Sequence, residues 1–148
     1  MDSIQLFEKL AAYDDESNRQ LIIRLEEYED LISPYITRQF SHILNVHHIW
    51  ISRLLNRNPE SSDWDLLPFS SWEKFAALNH LQTEEFLRFH SIQEICHYTS
   101  SEGIKNSKQA ADILLHIFNH STHHRAQIIR EMSEKGIPPS TINLIEFN

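Results

Sequence analysis

Apolar side chains recur along this chain at three- and four-residue steps with charged residues between them, the period of helices that bury one face. Ile4, Leu6, Phe7, Leu10 and Ala11, followed by Leu21, Ile22 and Leu25, predict a first helix over residues 3–28. Pro34 suits a loop or the first turn of a helix, and Ile36, Phe40, Ile43, Val46, Trp50 and Leu54 extend a second one to residue 56. The turn-rich stretch NPESSDWDLLP comes next. Ser70 and Glu73 then stand at capping-box spacing and predict a third helix to residue 90. Residues 95–99 and 103–105, on either side of Ser100, Ser101 and Glu102, fit a small hairpin. A fourth helix is predicted from a Ser107 cap through Ala111, Leu114, Leu115, Phe118, Ile128, Ile129 and Met132, with Gly136 and Pro138 stopping it. Four amphipathic helices predict an all-α four-helix bundle with a small hairpin before the last long helix.

Composition adds bounds to this picture. A chain of 148 residues with 41% hydrophobic and 23% charged side chains fits one globular domain over residues 1–148. Cys96 is the only cysteine, so neither an internal disulfide nor a cysteine-rich zinc site can form. The opening residues MDSIQLFEKL lack a basic segment followed by an apolar core, and no apolar run has the ~20 residues of a membrane span. The expectation is a cytoplasmic protein without a membrane partner. A net charge of −8 would repel a phosphate backbone, which argues against nucleic acid.

Ten histidines against two glycines is the departure from ordinary usage. His116, His120 and His124 are successive i,i+4 steps, each ~6 Å along the axis with ~40° of rotation, so they form a ladder on one helix face. His120 and His124 could share a metal as the two histidines of a helical H-E-x-x-H motif do, although the glutamate of that motif is missing. Such a pair by itself is equally compatible with surface or hydrogen-bonded core histidines. A third ligand has to come from a facing helix, and His42, His47, His48, His80 and His90 are all candidates that spacing does not rank. His123 lies ~100° round from His124, which makes it a supporting neighbour rather than a ligand.

The segment LHIFNHSTHHRAQ, residues 115–127, resembles the signature H-x-F-N-H-x-T-H-H-R-G-Q of the DinB-like family of metal-dependent enzymes. Residues 41–53, SHILNVHHIWISR, resemble that family's N-H-x-L-x-A-D-x-x-W-x-x-R segment. The resemblance implies a four-helix bundle, often dimeric, with a divalent ion such as nickel or zinc on His42, His120 and His124. It also implies kinship with thiol transferases that use bacillithiol, mycothiol or glutathione. Two positions depart from the pattern: His47 stands where the family has Asp, and Ala126 where it has Gly. An Asp behind a ligand imidazole would orient it and raise its basicity, so its loss moves that role elsewhere or alters metal affinity. His47, His116 and His123 are therefore expected to support a ligand or line the pocket.

The histidine pattern points to a metal-dependent enzyme acting on a small molecule, a hydrolase or, as the resemblance implies, an S-transferase using a low-molecular-weight thiol, and the resemblance also implies a homodimer. Three neutral imidazoles leave coordination positions open for a reacting group. The alternative is a non-catalytic, stress-related metal-binding bundle that keeps the ion without turnover. Trp50, Trp64 and Trp72 read as packing residues, with Trp64 placed to line a pocket, and Cys96 reads as a buried small apolar residue.

Overall fold

The computed structural model describes residues 1–148. Four helices make up most of it: α1 (Ser3–Glu27), α2 (Pro34–Leu54), α3 (Trp72–Phe89) and α4 (Ala110–Glu134). Strands β1 (Ile95–Thr99) and β2 (Lys105–Gln109) pair antiparallel between α3 and α4, with His97 opposite Ser107. The architecture is the expected all-α bundle with a hairpin before the last helix. No helix is long and apolar enough to cross a membrane.

The helix ends follow local chemistry, though not always at the expected residue. Asp2 and Gln5 form a reciprocal capping box at the start of α1, and Ser33 Oγ accepts from the Ile36 N–H ahead of α2. The Ser70–Glu73 box does not form. Residues Phe69–Ser71 make a 3₁₀ turn that runs directly into α3, and the helix is fixed there by buried Trp72, whose Nε1 donates to the Leu67 carbonyl at 3.0 Å. Ser107 does not cap α4 either, because it belongs to β2 and its hydroxyl lies 2.7 Å from His97 Nδ1. The first N–H groups of α4, on Ala110 and Ala111, instead donate to the carbonyls of Glu94 and Ile92. At the other end Gly136 adopts φ +75°, Ile137 N–H returns to the Met132 carbonyl, and both side chains are buried together, a Schellman stop.

α2 shares its most extensive interface with α4, and α1 packs mainly on α3. The apolar core lies in two halves. One gathers Phe7, Ile51, Phe86, Leu114 and Ile117 near the hairpin, and the other gathers Leu25, Phe40, Ile43, Trp72 and Ile128 at the opposite end. Leu115, expected in the apolar period, faces out at 49% exposure. Between the halves runs a polar layer containing Asp14 and Asn18 of α1, His42, Asn45, His47 and His48 of α2, Asn79 and Thr83 of α3, and Ser121 and Arg125 of α4, all buried. A layer of this kind is tolerated only where its members bond to one another or to the chain around them.

Candidate metal centre

α2 carries a row of polar residues that would ordinarily face water, and the segment between α2 and α3 folds over it. Ser41 Oγ accepts from the Leu67 N–H at 3.0 Å, Asn45 Nδ2 donates to the Asp65 carbonyl at 2.8 Å, and His48 Nε2 accepts from the Glu60 N–H at 3.1 Å. His42 joins this seam through Nδ1, 2.8 Å from the carbonyl oxygen of Asp63. A carbonyl can only accept, so His42 carries its proton on Nδ1 and leaves the Nε2 lone pair free. The seam also lays the Trp64 indole flat on the other face of His42, centroids 3.7 Å apart and planes within 6°. Trp64, read above as pocket lining or packing, thus covers one side of the site while remaining half exposed.

His120 and His124 of α4 face this imidazole. His42 Nε2 and His120 Nε2 are 3.1 Å apart, a separation at which two imidazole nitrogens share one proton or one cation. His124 Nδ1 donates toward two side-chain carbonyls, Gln39 Oε1 at 2.6 Å and Gln127 Oε1 at 2.8 Å, which leaves its Nε2 unprotonated. One ligand atom from each of the three histidines falls within 4.8 Å of the others. Two nitrogens bound at ~2.0–2.1 Å in a tetrahedral sphere lie ~3.4 Å apart, so the closest pair already suits one ion and the wider spacing closes by a small imidazole rotation. Burial, followed by the neighbouring His124 and His42, drives His120 down to about 3, and burial with His42 beside it lowers His124 as well. These two histidines are therefore neutral at physiological pH, the form of imidazole that binds metal. The donor set fits a divalent ion.

Residues 26–148 match the model of the DinB family. The chain belongs to that family. No curated protein and no solved structure gives a match. Membership associates this DinB bundle with metal-dependent, enzyme-like proteins, and its three histidines could hold the ion.

The remaining candidates fall elsewhere. His47, five residues after His42, is turned ~140° round α2 and points into the polar layer. Its Nε2–H donates to Thr83 Oγ1 at 2.8 Å, because that hydroxyl spends its own proton on the Asn79 carbonyl. His47 Nδ1 then faces Asp14 at 3.6 Å, and Asp14 is also bonded by Arg125. Burial alone would raise the Asp14 carboxyl, but Arg125 and His47 beside it outweigh this and hold it at about 2. The support expected at position 47 comes instead from the Asp63 carbonyl, Gln39 and Gln127, none of which a metal-ligand pattern would single out. His116 makes no hydrogen bond. Its exposed ring lies 5.7 Å from that of His120 and 5.6 Å from Trp50. His123 is exposed, its ring 5.0 Å from that of His124 and its Nε2 3.5 Å from the Gln127 amide.

His48, His80 and His90 do not join the cluster: His80 and His90 pair with Glu84 and Glu94 on their own side of the bundle. Ala126, the other departure, is exposed on α4. Cys96 is buried, its thiol pushed up by burial, with Sγ 3.7 Å from the Arg53 carbonyl oxygen, so it makes a poor nucleophile.

A cavity of about 580 Å³ opens beside the cluster. His116 and His120 form one wall, Trp50 and Arg53 of α2 continue it, and Ser61–Asp63 face Tyr98 and Ser100 of the hairpin region across it.

Proposed function

We propose that this protein is a divalent-metal-dependent enzyme whose ion is held by His42, His120 and His124 and whose substrate is a small molecule bound in the adjoining cavity. The observation that carries this reading is the fixed tautomer of two of these histidines: Asp63 and the glutamine pair hold Nδ1–H on His42 and His124, so the Nε2 lone pair of each is free for an ion, and that of His42 already faces His120. Three neutral imidazoles suit borderline ions, and nickel or zinc is the proposed occupant. A divalent ion there would supply a positive charge that lowers the pKa of a thiol or water brought against it.

The groups bonded to the ligand rings are a backbone carbonyl and two amides, and none is a carboxylate that could take a proton. This favours S-transfer from a low-molecular-weight thiol over hydrolysis, because a thiol held against the ion would release its proton to solvent near neutral pH, and its sulfur would then bond to an electrophilic carbon as the leaving group departs with its electron pair. In this reading the residues around the site have defined work: Trp64 shields His42 from water, and the hairpin hydroxyls hold the polar body of the substrate.

Metal analysis of protein purified without an affinity tag tests the centre. The expected result is close to one nickel or zinc per chain, with His120→Ala losing it and the wild type melting at higher temperature when the ion is added. Wild-type protein that binds neither ion overturns the proposal. A panel of thiols against an electrophilic acceptor, with ester hydrolysis as control, separates transfer from hydrolysis. Metal binding without turnover in either assay would point to the non-catalytic alternative.

A further inference from the structure

The cavity beside the histidines holds a half-buried arginine, Arg53, whose environment is unlike that of the buried Arg125. Arg53 Cζ lies 4.5 Å from the Trp50 ring centroid and 4.8 Å from that of Tyr98, and those two rings meet edge to face at 5.0 Å. The guanidinium is therefore held between two aromatic walls in a half-buried position. No carboxylate reaches it, and its side chain makes no hydrogen bond in a protein of net charge −8. Arg57, Arg125 and Arg130, by contrast, pair with acids, and Arg38 and Arg88, which do not, are exposed side chains over a single ring each. Arg53 also borders a smaller cavity with Glu94, but that carboxylate is already taken by the Ser91 N–H and His90. Two rings 82° apart cannot both lie flat on one guanidinium, so they hold the cation through their π electrons rather than as a sandwich. With no oxygen bonded to it, the N–H fork, which matches a carboxylate bidentately, is left without a hydrogen-bond partner.

Position gives this fork a purpose. Arg53 follows His42 by eleven residues on α2, ~16 Å along the axis, and a helical side chain leans back toward the N-terminus. Its head group thus comes on the order of 10 Å from the ligand nitrogens. Trp50, His116 and His120 line the wall between in successive ring contacts of 5.6 and 5.7 Å. We infer that Arg53 is the anchor for a carboxylate on the small molecule that enters this cavity, so that the substrate is an acidic, polar molecule with its reacting atom on the order of 10 Å from that carboxylate. The inference rests on the cavity being the substrate site proposed above. The hydroxyls of Ser61, Ser62, Thr99, Ser100 and Ser101 in the same walls suit hydroxyl or amide groups along the body of such a molecule.

Glutathione, which carries carboxylates at that reach, and its neutral-carboxyl diethyl ester are suitable probes, with binding read by calorimetry on zinc-loaded and on metal-free protein. The expected result is that glutathione binds wild type about tenfold more tightly than the diester, an advantage that shrinks as salt is added. Arg53→Gln removes the preference, lowering glutathione binding far more than diester binding at unchanged zinc content, and Arg53→Lys, which keeps the charge without the fork, retains part of it. Equal binding of the two probes by wild type, no binding of either at millimolar concentration, or equal loss of both in Arg53→Gln overturns the assignment. A protein that takes up no zinc yet still prefers glutathione would remove the metal reading and leave the anchor standing, so the two failures are distinguishable.

Discussion

The carbonyl oxygen of Asp63 lies 2.8 Å from His42 Nδ1, and this one contact from a loop decides which nitrogen of His42 faces the other two histidines. The loop that supplies it is itself pinned through Ser41, Asn45 and His48 of the same helix, so the imidazole is oriented by a surface that α2 itself assembles.

Because the acceptor is backbone, Asp63→Ala should leave zinc affinity within about threefold of wild type, whereas Trp64→Ala, which strips the indole from the opposite face of His42, should weaken it about tenfold, as loss of a partner orienting a ligand does. Zinc titration followed by competition with a chelator measures both. Nickel added to wild type should quench Trp64 fluorescence, and Trp64→Phe should remove most of that change.

Gln39 and Gln127 both accept from the single Nδ1–H of His124, so each can cover for the other. Gln39→Ala and Gln127→Ala should each lower metal affinity only a few-fold, and the double variant should lose more than the product of the two, up to ~100-fold. Strict additivity in the cycle would mean that the glutamines do not share this proton.

Asp14 is buried against Arg125 and His47, so Asp14→Ala strands a buried guanidinium and should cost about 3–5 kcal/mol in urea unfolding. The carboxyl is held at about 2 in the folded chain against 3.8 in the reference state. Its folded value is depressed, so its contribution is fully present above pH ~4 and fades as the pH falls from there toward 2, amounting to about 2 kcal/mol. Acid titration of stability in wild type and Asp14→Asn should differ mainly in that window.

His120 acts in a higher window. Its folded value of about 3 lies below 6.5, so the unfolded chain binds more protons and the metal-free protein loses stability as pH drops below about 6.5. Melting temperatures of metal-free wild type between pH 7.5 and 5 should fall with acid, and His120→Ala should flatten that slope. An unchanged slope would place the titrating group elsewhere.

Much of the fold was legible because helices announce themselves by period. α1, α2 and α3 fall within two residues of their expected bounds, and Gly136 stops α4 as its φ of +75° requires. The misplaced features were two caps, the second hairpin strand, expected at 103–105 and formed by Lys105–Gln109, and Leu115, which faces out. Ser107 and the Ser70–Glu73 pair have the right spacing, but the hairpin pairing claimed Ser107, and a 3₁₀ turn leading into Trp72, which is buried against Phe40 of α2, made the box unnecessary. In the site, the family resemblance singled out His42 among five histidines. The geometry supplies the reason: His47 is rotated ~140° away from it, and His80 and His90 pair with glutamates on their own helix or its C-terminal end.

The sequence by itself determined that this chain makes amphipathic helices and that His120 and His124 share a face, because both follow from the 3.6-residue turn. Only the tertiary structure decided which nitrogens meet, since that depends on a loop carbonyl at Asp63 and an amide at Gln39, groups brought to the imidazoles by folding rather than by spacing. The same holds for Arg53. Its charge is plain in the sequence, but its lack of an ion pair and its place between Trp50 and Tyr98 arise only once α2 packs against the hairpin.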